Sequence, residues 1–223
     1  MKISILTVND HPFAGFIVRE LEKKFKIFSI IFDSKKFSQK DKTLWDERTL
    51  GSIEYFDIES TNSIPKCYVS SHNSDELIKY VKTNKINLLI NVGTPRILSK
   101  KLIESLSIGI LNCHPGILPD YQGCSCVEWA LYNEDPVGNT CHLMTEKIDS
   151  GPVIISEILD TKHLNNYSEI RTKLYLNSPV LLIKSLELIK EKNISSFLTL
   201  KGGKYYSPIS KKKYLEVLKK INN

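Results

Sequence analysis

Arginine is scarce in this chain of 223 residues: of 31 cationic side chains, only Arg19, Arg48, Arg96 and Arg171 carry a guanidinium. The net charge of +6 rests on lysines scattered among Glu and Asp, which argues against a dedicated nucleic-acid surface, where arginine forks would be expected. It describes a solvated, lysine-rich exterior or, as the alternative reading, a mild attraction for phosphorylated small molecules. No apolar run approaches the ~18 residues needed to cross a bilayer. The opening Met-Lys-Ile-Ser-Ile-Leu also lacks the long apolar stretch and small-residue cleavage site of a secretory signal, so a cytoplasmic protein without membrane contact is the expectation. Five cysteines, an odd count, read as reduced thiols rather than a disulfide framework. Repeats and low-complexity linkers are absent. What is present, 41% apolar and 25% charged residues, excludes disorder, collagen and coiled coil and fits one large domain, or one with an appendage.

Along the chain, Lys2 to Val8 is a β-branched apolar run, the punctuation Asn9-Asp10-His11-Pro12 follows, and Phe13, Ile17, Leu21 and Phe25 recur at helical spacing. With a second apolar run at Ile27 to Phe32, the opening reads β-α-β, the unit of a parallel sheet. Asp33 to Asn62 reads as a polar surface excursion with a possible strand at Ile53 to Ile58. Asn73 with Glu76 suggests a helix N-cap, before a buried strand at Ile86 to Val92. A helix at Lys100 to Leu106 precedes the strand Gly109 to His114, which Pro115 stops for want of a ladder donor. Further helices are expected at Ser125 to Tyr132 and Ser168 to Lys192, the latter with Pro179 as a potential kink. Strands are expected at Thr140 to Thr145 and Val153 to Leu159, and short strands and a terminal helix (Lys211 to Ile221) beyond Phe197. The fold class is α/β, a Rossmann-like, mostly parallel sheet. Residues 1–160 form its core and residues 161–223 a C-terminal helix with a short α+β extension.

The chemistry concentrates at Asn112-Cys113-His114-Pro115. Residues two apart on a strand share a face, roughly 6.6 Å apart, and ligands of open α/β sheets gather at the strands' carboxyl ends. An amide there can donate to a developing oxyanion, and an imidazole can move a proton near neutrality. By themselves the two residues fit equally well a satisfied structural histidine and an asparagine that closes a turn. Asp149-Ser150-Gly151 adds a carboxylate that could orient the imidazole, or could be only an Asx-turn. Cys124 and Cys126 near His114 and His142 raise the thought of zinc, but the spacing is too short for the usual ligand pair.

The series Asn112-Cys113-His114-Pro115-Gly116-Ile117-Leu118-Pro119, then Gly123, Thr140-Cys141-His142 and Asp149-Ser150-Gly151, resembles the core of the formyltransferases that use 10-formyltetrahydrofolate. That family includes glycinamide ribonucleotide, methionyl-tRNA and sugar-nucleotide N-formyltransferases. The resemblance covers about Ile86 to Leu159. It implies that Asn112, His114 and Asp149 are the catalytic residues: Asn112 and His114 stabilise the oxyanion, while Asp149 keeps His114 protonated and helps to pass a proton to the departing folate nitrogen. It implies that Arg96, Ile97 and Leu98, mainly through their backbone, and Ile148 on the opposite loop, contact the folate, with no metal. The chemistry agrees: a neutral amine is already nucleophilic, so the need is for an oxyanion donor, a proton path and alignment of two substrates.

Departures from the family pattern narrow the acceptor. Val8-Asn9-Asp10-His11-Pro12-Phe13-Ala14-Gly15 replaces the Gly-rich phosphate loop of the glycinamide ribonucleotide enzymes. About 60 residues follow Leu159, much of them helical, where the methionyl-tRNA enzymes carry a sizeable barrel. The resemblance is greatest to the sugar-nucleotide enzymes, whose extensions hold a segment like Gly202-Gly203-Lys204-Tyr205-Tyr206-Ser207-Pro208. The Tyr205-Tyr206 pair could stack a base or simply pack. Gly116, serine in many relatives, suggests an altered acceptor loop between Pro115 and Gly123. The expected partners are a nucleotide sugar, such as a dTDP-4-amino-deoxyhexose for surface polysaccharide, and 10-formyltetrahydrofolate, without nucleic acid or membrane, and with a homodimer possible. Open alternatives are another amine acceptor, a folate hydrolase, or a catalytically silent binding module.

Overall fold

A computed structural model of the chain describes residues 1–60 and 63–221, and its backbone divides into two compact units. Of the described residues, the first comprises 1–45, 53–60, 63–112 and 143–146; the second comprises 46–52, 113–142 and 147–221.

In the first unit, β1 (Ile3–Val8) is buried at every residue, the continuous rather than alternating pattern of a strand covered on both faces. Helix α1 (Ala14–Glu22) leads to β2 (Ile27–Asp33), which pairs parallel with β1. Helix α2 (Gln39–Thr49), whose residues from Asp46 onward count with the second unit, then precedes β3 (Lys66–Val69), parallel to β2. Next come α3 (Asp75–Thr83), β4 (Leu88–Asn91) beside β1, α4 (Lys100–Ile103) and, beside β4, β5 (Gly109–His114), whose last two residues count with the second unit. The parallel order is β3-β2-β1-β4-β5. Leu6, Ile31, Leu89 and Ile110 from the sheet pack with Leu77 and Leu102 from the helices.

In the second unit, the two-residue strand β6 (Gln122–Gly123) is followed by α5 (Cys126–Asn133) and β7 (Gly138–Leu143). Strand β8 (Val153–Ile158) runs antiparallel to β7. The 25-residue helix α6 (Tyr167–Glu191) accommodates Pro179. Strand β9 (Tyr205–Tyr206) pairs with β6, and α7 (Lys211–Ile221) follows. Tyr121 and Tyr206 stack at 5.1 Å between centroids inside a core that also holds Val127, Ile170 and Leu174. The α/β class, with a mostly parallel sheet and C-terminal helices, is as expected.

Local expectations need correcting. The excursion after Asp33 contains α2, which buries only Thr49 and therefore shows no apolar period; Thr61 and Asn62, at its far end, lie outside the described residues. Residues 53–57 form no strand, and a single 3-10 turn follows at Ile58–Ser60. Strand β3 went unrecognised because three of its four residues are only half-buried or exposed. The cap of α3 is Ser74, whose hydroxyl accepts from the Leu77 amide at 3.2 Å. Asn73 instead donates to the Ile97 carbonyl and accepts from the Ser99 amide. Helix α4 stops at Ile103, short of the expected Leu106.

Candidate active site

Strand β5 carries Asn112 and His114 at its carboxyl end, and Asp149 lies in the connection from β7 to β8. In the second unit His114 and Asp149 meet: His114 Nδ1 is 3.4 Å from Asp149 Oδ2. The other carboxylate oxygen lies 3.4 Å from His142 Nε2. The carboxylate is fixed by a bond from the Gly123 amide, 2.9 Å, and Gln122 donates to the Asp149 carbonyl. Asp149 itself has φ +48°, a left-handed conformation that Asp tolerates better than most residues.

Burial by itself would raise the Asp149 pKa, but the His142 hydrogen bond, the charge of His114 and the Gly123 amide outweigh it and hold the carboxyl below its ordinary value. At His114, burial dominates. It overcomes Asp149 and the Tyr121 carbonyl, His142 adds to it, and the imidazole is pushed below its usual range. Burial at His114 thus works against the expectation that Asp149 keeps the ring protonated. Nε2 hydrogen-bonds to the Tyr121 carbonyl at 2.8 Å. That contact puts the neutral ring's proton on Nε2, since a carbonyl can only accept. Nδ1 is then the basic nitrogen, and a proton taken there would sit against Asp149.

Gly116 is part of this arrangement. A Cβ at that position would lie 2.7 Å from His114 Nε2 and 2.9 Å from the Tyr121 oxygen, so any side chain disturbs the bond that sets the tautomer. Here the lack of a Cβ serves close approach rather than an unusual φ.

Asn112 belongs to the first unit. Its Oδ1 accepts from Asn91 Nδ2 at 2.9 Å, and Asn91 Oδ1 accepts in turn from the Thr94 amide at 2.9 Å. This chain fixes which end of the Asn112 amide is the donor. Asn91 was missed in the sequence because only the register Asn91↔Asn112 between β4 and β5 brings the two together. His142 belongs to the motif stretch Thr140-Cys141-His142 but carries no expected role there; its position on β7, two residues from Thr140, puts it on the same strand face as another residue of that motif.

The residues expected at the folate have distinct fates. Arg96 grips Asp33 with Nε at 2.5 Å and Nη2 at 2.8 Å. Burial would raise Asp33, yet Arg96 and the Lys35 and His72 amides bring it down to about 2. Leu98 is in the core. Ile97 is 71% exposed and Ile148 is 43% exposed, apolar side chains available to a flat organic ligand. The Ile97 carbonyl is taken by Asn73. The segment can therefore offer a pterin backbone and an apolar surface, with the Arg96 side chain serving as a brace.

The model of the formyl transferase family matches residues 4–186, and the chain belongs to that family, whose formyl donor is 10-formyltetrahydrofolate. Among curated proteins it is similar to methionyl-tRNA formyltransferase of Thermotoga maritima, 25% identical over 96% of this chain and 67% of that one. It is similar also to that of Clostridium acetobutylicum, 27% identical over 80% of this chain and 57% of the relative. The chain thus spans between about half and two thirds of these relatives. Among solved structures it shares its fold with a sugar N-formyltransferase from Shewanella, TM-score 0.64, 18% identity, covering 94% of this chain and 77% of that one. A phosphoribosylglycinamide formyltransferase from Bacillus halodurans gives a TM-score of 0.63 at 19% identity, covering 86% and 96%.

Proposed function

We propose that the protein transfers the formyl group of 10-formyltetrahydrofolate to the amine of a nucleotide-linked amino sugar, with Asn112, His114 and Asp149 acting together. The observation that carries the acceptor assignment is the start of α1. Phe13, the N-cap, makes no side-chain cap bond, and its amide donates to His11 Nδ1 at 3.3 Å. Burial lowers the His11 pKa to about 4, against a small opposing pull from Asp41, so the ring is a neutral acceptor. It packs so closely that a Cβ on Gly93 would lie 2.2 Å from it. A helix N-terminus can hold a terminal phosphate through its free amides; here an imidazole takes that place, which disfavours a ribonucleotide monophosphate as acceptor. The fold likeness to the sugar N-formyltransferase from Shewanella agrees with the reading, and the methionyl-tRNA relatives supply the principal competitor.

The folate donor supplies the electrophilic formyl carbon, and Ile97, Ile148 and the backbone around Leu98 would hold its ring system. Asn112, its carbonyl held by Asn91, donates Nδ2 to the formyl oxygen as negative charge gathers there. Donors aligned in advance are the largest contribution such a site makes. His114 accepts the proton shed by the attacking amine at Nδ1, where Asp149 stabilises the imidazolium, and the same pair returns a proton to the leaving amine.

The test is release of tetrahydrofolate from 10-formyltetrahydrofolate with dTDP-4-amino sugars, glycinamide ribonucleotide, initiator methionyl-tRNA, or no acceptor. Turnover with the sugar nucleotide is expected. Turnover confined to tRNA or to the ribonucleotide refutes the acceptor, acceptor-independent turnover points to hydrolysis, and binding without turnover to a silent module.

A further inference from the structure

Two of the chain's four arginines converge on one buried carboxylate in the second unit. Arg48 Nη2 lies 3.2 Å from Glu128 Oε1, and Arg171 Nη1 lies 3.9 Å from the same oxygen. The Tyr167 hydroxyl donates to it as well. Arg171 Nη2 donates to the Tyr175 hydroxyl at 2.6 Å. Glu128 and Arg171 are 2% and 3% exposed, and the Arg48 side chain, 19% exposed, is the member that meets solvent.

The charges do not balance. Two guanidiniums face one carboxylate, and a guanidinium cannot shed its proton as a buried lysine or histidine can. An unpaired buried charge is costly. Glu47, whose field reaches the adjoining Tyr214, is exposed and screened by water. The positive excess is felt locally: burial would raise the Tyr175 phenol, yet Arg171 and Arg48 draw it below its ordinary value.

The polar atoms left over match a particular kind of ligand. Nε of Arg48 and Nε of Arg171 are buried without a hydrogen-bond partner, as is Glu128 Oε2. Two guanidinium donors call for phosphate oxygens, and a lone carboxylate oxygen calls for a hydroxyl. The cluster is also next to the reaction centre: the Cys126 thiol, at the start of α5, is raised to about 12 by burial first and then by the charges of both Asp149 and Glu128. A Cβ on Gly116 would touch both His114 and Cys126.

We propose that Arg48, Arg171 and Glu128 form a phosphate-binding subsite, the arginines holding a diphosphate and Glu128 Oε2 accepting a hydroxyl of the same molecule. Assigning that molecule as the acceptor rests on the proposed function; binding of phosphate does not.

Calorimetric titration of the whole chain with inorganic pyrophosphate, at low salt, tests the subsite without catalysis. Arg48→Gln, at the solvent edge, is expected to stay folded by circular dichroism and to bind about tenfold more weakly or worse, the loss of one charge-assisted contact. Glu128→Gln removes the competing negative charge and is expected to bind pyrophosphate more tightly than the unaltered protein. A purely structural network predicts lower melting temperatures for both variants with unchanged pyrophosphate affinity, and that result, or no binding by the unaltered protein, overturns the proposal. Should Glu128→Gln fail to fold, Arg48→Gln alone decides. Pyrophosphate binding that responds to these substitutions, combined with no formyl transfer to any sugar nucleotide, would refute the acceptor and leave the subsite standing.

Discussion

Asn91 offers the sharpest test of how the site works, because it acts on Asn112 through one hydrogen bond. In Asn91→Asp the bond from the Thr94 amide can persist, since a carboxylate also accepts, but the 2.9 Å donor to Asn112 Oδ1 becomes an acceptor. Two oxygens then face each other, and the Asn112 amide relieves the repulsion by turning its Nδ2 toward the introduced carboxylate, presenting oxygen where a donor is required. Losing one oxyanion donor costs about 10²–10³ in kcat, or ~3–4 kcal/mol. KM should move little, as the donor acts on charge that develops only during reaction. Protonating the introduced carboxylate supplies a hydroxyl that can donate to Asn112 Oδ1 again. Relative to the unaltered enzyme, activity of Asn91→Asp should therefore rise as pH falls, whereas Asn91→Leu should show the loss without the acid recovery. Steady-state kinetics from pH 5 to 8 measures both. If Asn91→Asp keeps kcat within about threefold while Asn112→Ala is inactive, the bond to Asn91 does not position the donor.

Replacing His114 by Asn should lower turnover on the order of 10²-fold or more with the circular dichroism spectrum unchanged; near-normal rates would remove the imidazole from the mechanism. Gly116→Ala should reduce kcat by about tenfold or more by breaking the 2.8 Å His114–Tyr121 contact, since misplacement of a reacting group is costly, and an unchanged rate would show that the tautomer does not matter. Asp33, lowered from 3.8 to about 2, contributes ~2.5 kcal/mol above its unfolded pKa that is lost as pH falls toward 2. Urea denaturation of Asp33→Asn should accordingly show a lower midpoint at pH 7 and a smaller difference from the parent at pH 3. His11, His72 and His114 all have lowered pKa values, burial being the leading cause, so the unfolded chain binds more protons than the native one below its histidine pKa of ~6.5. Stability should decline as pH falls from about 6.5 toward 4; a flat profile across that range would contradict these assignments.

Periodicity exposed the elements that bury a face or a whole strand: β1, β2, β4, β5, α3 and α6 all carry apolar patterns their surroundings demand. It failed at α2, which buries little, and at the four-residue β3, whose neighbours rather than its composition make it a strand. The motif from Asn112 to Asp149 was legible because its residue types sit at fixed spacing next to Pro115 and Gly151. What each does electrostatically was not. The expectation of a charged His114 rests on its partners, and burial, which no sequence displays, pulls its pKa the other way. Arg96 is expected at the folate mainly through its backbone, and what no sequence displays is that its guanidinium is held by Asp33, 63 positions away. The arginine count, taken as the mark of an ordinary surface, concealed that Arg48 and Arg171 share one buried carboxylate. Chain order fixes which groups are available and where an element begins or stops; only the packed sheet and helices set the register that joins Asn91 to Asn112 and the desolvation that decides which proton stays on.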